Sequence, residues 1–545
     1  MRFNTKIVGI FIMLIIFAGC SNGVRKTPKQ SAGQSLGIIP EPVSVKLLSG
    51  SLVINKNTRV LKNVKFDLEN KIINDALDKV LIGRNINKQD TSGKVTIKYV
   101  VDSNLKNEGY KIDISNKGIV LSAKTARGAF YAAQTLRQMI WHNTYGIKSS
   151  SFKLRDVNIN DAPKYAWRGF HIDVARHFFS KRFIMRLIDW LSYYKINKLQ
   201  IHLTDDQGWR IQINHYPLLT KIGAWRTFNN WDSVCMKKAK TNPMYSIDPR
   251  FIKVVDGKKV YGGYYTKQDM REIIKYAHEH FIEIIPEIDM PGHMSAAIRA
   301  YPFLSATNAA GWGKEFSYPI CPCKKRVIKF SHTVWDEIAS LFPSKFVHIG
   351  GDEVNQKSWA GAPVCKNFMK KNHLDSLSQI QSYFEKNIAK YLESKGKKVI
   401  AWDDVLGGKV DSNLIIMYWR SWVKNDPQKA AENGNRIILT PWTLFYLSSN
   451  NKADTLTRAL YRYNPDSVYS PKIVKKVIGM QGCVWTEEIP SEAMFEYHVF
   501  PRLEALSEVE WGTNKNWNSF KIRLESHLKY LNSKHIIYQK PTWTK

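Results

Sequence analysis

The 545-residue sequence predicts an α/β fold in which a small α+β domain precedes a (β/α)8 TIM barrel. Its length exceeds what a single hydrophobic core usually organises, which indicates two domains with additional segments. From Trp167 onward, short apolar runs alternate with longer amphipathic stretches over roughly 350 residues, the pattern of a parallel barrel with helices around it. Before that point, a hairpin pattern precedes a helical one, which is typical of a separate α+β unit.

The N-terminus has the features of a secretory signal peptide, which we assign to residues 1–19. Arg2 and Lys6 supply positive charge, and residues 7–17 form an apolar stretch of eleven residues. The following FAGC sequence, which ends at Cys20, resembles a bacterial lipobox and implies cleavage before Cys20 and lipidation of its sulfur. Such an anchor would hold the protein at a membrane of the bacterial cell envelope. An ordinary cleaved signal with an incidental cysteine is the alternative.

Polar residues and a hairpin–helix pattern define the next two segments. Residues 20–36 are predicted to be a flexible tether, and residues 37–160 the N-terminal α+β domain. Segments 110–114 and 119–121 alternate apolar and polar residues around an Asn-Lys-Gly turn, which indicates a hairpin. Residues 125–136 are a predicted helix with Thr125 as its N-cap. No motif in this domain indicates chemistry, so we interpret it as a scaffold.

Residues 161–515 are predicted to form the barrel, and residues 516–545 a helical C-terminal extension. The candidate strands are 170–173, 199–203, 283–286, 346–349, 399–402, 415–419, 436–439 and 478–484. Strands that are buried on both faces read as continuous apolar runs of this kind. The predicted helices include 182–194, 267–280, 327–341 and 377–393. The longest insertion, at about 207–264, follows the second strand.

The composition excludes some partners and favours others. The chain carries 81 Lys and Arg against 47 Asp and Glu, a formal charge of +34, which falls to +32 when residues 1–20 with Arg2 and Lys6 are removed. The lysines are spread along the chain without a dense basic block or a nucleic-acid motif, so we expect no nucleic-acid partner. We interpret the charge as a solvated surface suited to acidic envelope polymers. Seventeen tryptophans favour a carbohydrate binder, because indole faces stack on sugar rings.

The cysteines give no evidence of a metal centre. Besides Cys20 there are five of them: Cys235, Cys321, Cys323, Cys365 and Cys483. An odd number leaves at least one unpaired within the chain. Cys321 and Cys323 lack a second cysteine or histidine pair close in sequence, so we expect no zinc site. We predict neither a metal nor another cofactor.

Residues 348–353, with the sequence HIGGDE, are the strongest chemical signal. An apolar run ends in two glycines, which permit a sharp turn, and the acids Asp352 and Glu353 follow. Adjacent carboxylates repel each other, so one of them retains its proton to higher pH and can donate it. Catalytic groups of a (β/α)8 barrel gather at the C-terminal ends of its strands, where this pair lies. A solvated acidic loop is the alternative.

The HxGGDE segment resembles the signature of family-20 glycoside hydrolases, the β-N-acetylhexosaminidases. Three further segments resemble motifs of that family in the same order: D-x-x-R-H at 173–177, H-x-x-D-D-Q at 202–207 and E-x-D-x-P-G-H at 287–293. The resemblance implies that Asp205, His293 and Glu353 form a relay that sets the proton affinity of the acid.

The same resemblance implies a pocket for one sugar that bears an amide. Trp402, Trp419 and Trp485 would wall the space around the 2-acetamido group. Arg176 and Glu487 would bind ring hydroxyls, since a guanidinium fork suits two vicinal hydroxyl groups.

One position departs from the family pattern. Tyr446 matches the tyrosine that binds the acetamido carbonyl, and the family usually carries Asp or Asn two residues later. This chain has Ser448 there, which is shorter and uncharged. The recognition of the 4- and 6-hydroxyls, and with it the preference for gluco or galacto sugars, therefore stays open.

The resemblance implies exo-acting, substrate-assisted hydrolysis with retention. A protonated Glu353 would donate to the departing oxygen, while an ionised Asp352 would accept the acetamido N–H. The expected substrate is an oligosaccharide or glycoconjugate with a terminal non-reducing N-acetylglucosamine or N-acetylgalactosamine. Two alternatives remain open: a disaccharide-releasing glycosidase of the same family, and a catalytically silent sugar-binding lipoprotein.

Overall fold

The computed structural model describes residues 35–84, 95–308, 316–449, 453–512 and 516–544. The predicted signal peptide, residues 20–34 of the tether and the candidate lipidation residue Cys20 lie outside the described residues. In the described ranges, no helix has the length and apolarity that a membrane crossing requires. The fold comprises an N-terminal α+β domain, a closed barrel and a C-terminal helix, Trp517–Ser533.

The N-terminal domain is built on one six-stranded sheet. In spatial order its strands are Ser44–Asn55, Ser151–Asp161, Tyr110–Ser115, Gly118–Ala123, Thr96–Val101 and Arg59–Val60. Its helices are Asp67–Asp78 and Ala126–Thr144. The third and fourth strands pair antiparallel, which confirms the predicted hairpin. Thr125 caps the second helix as predicted, because its Oγ1 accepts a hydrogen bond from the Gly128 N–H at 3.3 Å.

Eight parallel strands close into the predicted (β/α)8 barrel. In chain order they are Trp167–Asp173, Lys198–His202, Glu283–Glu287, Phe346–His348, Lys398–Trp402, Ile415–Tyr418, Arg436–Leu439 and Val477–Val484. The eighth strand pairs with the first and closes the cylinder. All eight predicted strands are therefore present, and most differ from the prediction by one or two residues at an end. Parallel strands covered by helices are buried on both faces, which is why their sequences are so uniformly apolar.

Helices surround the barrel and confirm the four that were predicted. The longer ones are Lys181–Tyr193, Lys267–Glu279, Lys325–Leu341, Pro363–Asn372, Leu377–Ser394, Asp426–Asn433, Ala453–Arg462, Glu492–Val499 and Arg502–Trp511. The shorter ones are Leu218–Lys221, Ser295–Ala300, Lys357–Ala360, Trp442–Phe445, Pro465–Val468 and Pro471–Val474. Several of the shorter helices lie in the loops that follow the strands, so these loops are ordered elements around the site.

The insertion after the second strand folds as a small subdomain against the first loop. It contains a three-stranded sheet, with strands Trp225–Arg226, Lys258–Gly262 and Ile252–Val255 in spatial order, and the helix Asn230–Ala239. The buried guanidinium of Arg210 ties this subdomain down by donating to the carbonyl oxygens of Ala175, Ala224 and Gly263. The insertion thereby fixes the loop that carries Arg176.

Buried polar contacts join the N-terminal domain to the beginning of the barrel. Arg168, in the first barrel strand, forms an ion pair with Glu108 at 3.0 Å. The indole N–H of Trp511 donates to Asp161 at 3.0 Å, and Lys195 lies 3.5 Å from the same carboxylate. Removing one partner of such a buried pair is costly, because the other charge is left uncompensated. These contacts hold the two domains as one packed unit.

Candidate active site

A cavity of about 590 Å³ opens at the C-terminal ends of the barrel strands. Its volume is within the range of small-molecule sites. The lining residues are Arg176, Phe316, Asp352, Glu353, Trp419, Trp442, Thr443, Tyr446, Ser448, Ser449, Trp485 and Glu487. Seven of the ten residues predicted to form the site line this cavity. Asp205, His293 and Trp402 lie beneath its surface.

The glycine pair after the fourth strand aims the two acids into the cavity. Gly350 and Gly351 have φ angles of 73° and 94°, a left-handed conformation that favours glycine. A Cβ on Gly350 would lie 1.8 Å from the Asp289 carboxylate, so the turn also requires the absence of a side chain. Asp289 accepts a hydrogen bond from the Gly351 N–H at 3.1 Å. Glu353 itself has a φ of 51°, an uncommon conformation for a side-chain-bearing residue.

The carboxyl groups of Asp352 and Glu353 converge on one imidazole. His293 Nε2 lies 3.7 Å from Asp352 Oδ2 and 3.5 Å from Glu353 Oε2. On the other side of the ring, His293 Nδ1 lies 3.3 Å from Asp205 Oδ1. The residues of the expected relay are thus assembled in the order that the sequence motifs imply.

The proton affinity of Asp352 is set by its burial. Burial raises the pKa of Asp352 to about 7; His293 opposes this shift, whereas the nearby Asp404 and Glu353 carboxylates add to it. The side chain of Asp352 is 9% exposed, whereas that of Glu353 is 36% exposed. The aspartate is the more deeply buried acid, so it retains its proton to higher pH than an ordinary aspartate, and its ionisation during catalysis stays a prediction.

Behind the cavity, a chain of buried charges extends to the barrel floor. Asp205 accepts hydrogen bonds from Arg176 Nη2 and His202 Nε2, each at 2.8 Å. Although burial raises it, Arg176 and His293 hold the pKa of Asp205 well below its usual range. His202 Nδ1 lies 3.0 Å from Glu287 Oε2, which continues the chain. Sequence analysis quoted both residues within motifs but assigned them no role.

Aromatic rings form one side of the cavity. The rings of Trp419 and Tyr446 are nearly parallel, with centroids 6.1 Å apart, and the ring of Trp485 lies 6.0 Å from Tyr446. Trp402 is 1% exposed, and its indole N–H donates to Glu287 at 2.8 Å. This buried hydrogen bond places Trp402 in the layer behind the aromatic wall, not on the lining where the sequence analysis expected it.

Several buried donors of residues that line the cavity make no hydrogen bond within the described part of the protein, although Arg176 Nη1 lies 3.5 Å from the Asp173 carboxylate. Among the described residues, Arg176 Nε and Nη1 and Trp485 Nε1 make no hydrogen bond. Arg176 also lies over the Trp485 ring, with its guanidinium carbon 4.8 Å from the ring centroid. Ser448 accepts a hydrogen bond from the Trp485 N–H at 3.3 Å, and burial raises the pKa of Glu487. Unpaired buried donors beside a cavity are available for a polar ligand.

Four lining residues and one supporting acid were not predicted from the sequence. The four lining residues are Phe316, Trp442, Thr443 and Ser449. The acid is Asp404, which accepts hydrogen bonds from the Glu353 N–H at 3.3 Å and the Trp419 indole at 2.8 Å. Asp404 follows the end of the fifth strand, so its position was a usable signal. The other four lie in loops without a recognisable motif.

Clusters of buried side chains in the described ranges have spacings that a metal ion could use. One consists of His171, His202 and Glu287, and others include Asp205 and His293. The charged groups of these clusters already balance each other: Glu287 accepts from Gln200 at 2.8 Å and lies within ion-pair distance of two of the histidines. The chemistry described below uses no metal.

Barrel, paired carboxyl groups and aromatic wall together define the class of protein as a glycoside hydrolase. The model of glycosyl hydrolase family 20, catalytic domain, matches residues 165–514, and that of family 20, domain 2, matches residues 35–162. The chain therefore belongs to glycosyl hydrolase family 20.

Relatives and solved structures agree with this assignment. A β-hexosaminidase of Porphyromonas gingivalis is 31% identical over 559 residues, which cover 97% of this chain and 67% of the relative. The structure of a Vibrio harveyi exo-β-N-acetylglucosaminidase in complex with N-acetylglucosamine is similar with a TM-score of 0.78 and 27% identity, covering 97% of this chain and 82% of that one. The structure of a Streptomyces plicatus N-acetyl-β-hexosaminidase is similar with a TM-score of 0.76 and 27% identity, covering 96% of this chain and 99% of that one.

Proposed function

We propose that this family-20 glycoside hydrolase is an exo-acting β-N-acetylhexosaminidase that releases terminal non-reducing N-acetylglucosamine or N-acetylgalactosamine from glycans. The observation that carries the proposal is the convergence of Asp352 and Glu353 on the floor of one aromatic-walled cavity. A cavity with a closed floor accepts the end of a glycan chain, which supports release of a single terminal sugar.

Cleavage uses the substrate's own acetamido group as nucleophile. Glu353, the more exposed acid, donates its proton to the departing glycosidic oxygen. The acetamido oxygen attacks the anomeric carbon and forms an oxazolinium-like intermediate, with Tyr446 orienting the carbonyl. Water, activated by Glu353 as base, then opens the ring with net retention. Asp205 and His293 support the change in role of Glu353 by holding a buried charge chain behind it.

Substrate binding also determines the charge on Asp352. The acetamido N–H would donate to its carboxylate, and a hydrogen bond to the charged form stabilises that form. The raised pKa of the empty site, about 7, would therefore fall when the sugar binds. Asp352 would then carry the negative charge beside the cationic intermediate.

Hydroxyl recognition falls to the polar rim of the cavity. Arg176 and Glu487 both line the cavity; the guanidinium supplies donors without a hydrogen bond in the protein, and the Glu487 carboxyl is an acceptor. Trp485 and Trp419 would enclose the acetamido methyl group. Ser448 is engaged with the backbone of Trp485, so we do not assign it a sugar hydroxyl.

The purified protein should release nitrophenol from the β-nitrophenyl glycoside of N-acetylglucosamine at least about a thousandfold faster than from the matching glucoside, which lacks the internal nucleophile. A galactosamine glycoside in the same assay measures the gluco or galacto preference. Sizing the products from a defined oligosaccharide panel checks the exo mode. Disaccharide products would favour the disaccharide-releasing glycosidase. Binding of the sugar without turnover would favour the catalytically silent sugar-binding lipoprotein.

We also propose that the chain is lipid-anchored through Cys20 in the bacterial cell envelope. The support is the sequence of residues 1–20, with its charged start, apolar stretch and small residues before the cysteine. Cells fed an azide-bearing fatty acid should label the wild-type protein, and Cys20→Ser should abolish labelling. Labelling that persists in this variant would refute the anchor.

A further inference from the structure

Three cysteine thiols that are separate in sequence meet beside the active-site loops. Cys321 and Cys323 lie in the loop after the third barrel strand, and Cys365 lies in the helix Pro363–Asn372 after the fourth. The sulfur atoms of all three lie within 4.8 Å of one another, and Cys321 and Cys365 are 3.5 Å apart. Their separation of 44 positions hid this cluster from the sequence analysis.

We propose that Cys321 and Cys365 form a disulfide that joins the two loops, and that Cys323 is the entry thiol through which the bond is made. Cys321 and Cys365 are both 0% exposed, whereas Cys323 is only partly buried. An external oxidant can therefore reach Cys323 but not the close pair. This division explains why three thiols are present when a disulfide needs two.

The surroundings favour a neutral disulfide over a metal–thiolate centre. Trp359, Ala362 and Ile380 pack around the sulfurs and form an apolar enclosure. Three thiolates around a monovalent or divalent ion would leave net negative charge in this enclosure, which is costly.

The exchange balances with one donor disulfide. The Cys323 thiolate attacks the donor disulfide and releases the first donor thiol. Cys365 then attacks the Cys323 sulfur of this mixed disulfide and releases the second donor thiol, which leaves a Cys323–Cys365 bond. Cys321 next displaces Cys323 from Cys365, which leaves the Cys321–Cys365 bond and a free Cys323 thiol. Cys321 lies 3.5 Å from Cys365, which places its sulfur for this last step.

The bond would stabilise loops that hold the acid pair. Ser317, in the third-strand loop, donates its N–H to Asp206 at 2.7 Å and accepts from the His293 N–H at 3.3 Å. Its carbonyl accepts from the Asn355 N–H at 3.3 Å, two residues beyond Glu353. A cross-link between these loops restricts the same segments that place His293 and Glu353.

The test treats reduced, folded full-length protein with oxidised glutathione, alkylates free thiols under denaturing conditions and maps the peptides by mass. We expect a Cys321–Cys365 cross-link, with Cys323 and the distant Cys235 alkylated. Cys323→Ser should form the bond at least tenfold more slowly, whereas Cys235→Ser should match the wild type. Cys365→Ser should leave Cys323 as a mixed disulfide with glutathione, while Cys235, Cys321 and Cys483 remain alkylatable.

The thermal midpoint distinguishes a disulfide that stabilises the two loops from one that has no effect on stability. The oxidised protein should have a thermal midpoint about 4 °C above that of the reduced protein, while Cys365→Ser should not respond to oxidation. Alkylation of all three cluster thiols after oxidation would overturn the proposal. Thiols that become reactive only after a chelator is added would indicate a metal site and would overturn it as well. Bond formation at unchanged midpoint would overturn the stabilising role.

Discussion

Replacement of Glu353 by glutamine should lower turnover of an unactivated N-acetylglucosamine oligosaccharide by about 10²–10⁴-fold, the usual contribution of general acid–base catalysis. Glutamine keeps the size of the side chain and its reach toward His293 Nε2, 3.5 Å away in the wild type, but it has no proton to donate. A dinitrophenyl glycoside, whose leaving group needs little protonation, should lose much less. The measurement is kcat/KM on both substrates.

Glu385 provides a matched control for the same substitution. It is buried beside the glycine turn, and burial raises its pKa to about 8, so at pH 7 its carboxyl is mostly neutral. A glutamine is close to that neutral acid in shape and hydrogen bonding, including the bond from Gln381 at 2.7 Å. Glu385→Gln should stay within about twofold of wild type. Equal losses on both substrates in Glu353→Gln would contradict its role as the acid.

The barrel could be predicted from sequence because its strands are buried on both faces. The first strand shows the limit of that reasoning. It begins at Trp167, three residues before the predicted start. The prediction started too late because the charge of Arg168 interrupts the apolar run. In the folded chain this guanidinium is neutralised by Glu108 of the other domain. A partner that lies 60 positions away leaves no local signal.

The site was predictable where motifs end a strand, and less so elsewhere. Arg176 and Glu487 are examples of residues whose place at a strand end put them on the cavity as expected. Trp402 also follows that rule, but periodicity does not reveal that its indole turns down to Glu287. Phe316 reaches the cavity from a long loop, where side-chain direction depends on tertiary packing.

The raised pKa of Asp352 could not be predicted from sequence either. Adjacent carboxylates imply that one proton is held more tightly, but they do not say by which acid. Burial raises the pKa of Asp352, and the depth of its side chain depends on the turn at Gly350 and Gly351. The difference has a consequence for both stability and activity of the protein.

Asp352→Asn should lower kcat/KM by about 10²–10³-fold, because such losses are typical when a group that stabilises transition-state charge is removed. The same substitution should stabilise the fold at alkaline pH. An ordinary aspartate has a pKa of about 3.9 when unfolded, and burial raises the folded value to about 7. The folded state therefore holds this proton more tightly, so the contribution of Asp352 to stability is greatest below pH 4 and falls as pH rises toward 7. The cost of ionisation levels off above pH 7 at up to about 4 kcal/mol.

Asparagine carries no charge at any of these pH values, so the variant escapes that cost. Its advantage in free energy of unfolding over wild type should grow by about 2–3 kcal/mol between pH 5 and pH 8, measured by urea denaturation. Asp466→Asn, on the surface beside Lys164, is the control and should show no such growth. An Asp352→Asn variant that loses stability relative to wild type as pH rises would contradict the assignment of the buried proton to Asp352. The opposite signs of the two effects identify a group kept for catalysis at the expense of stability.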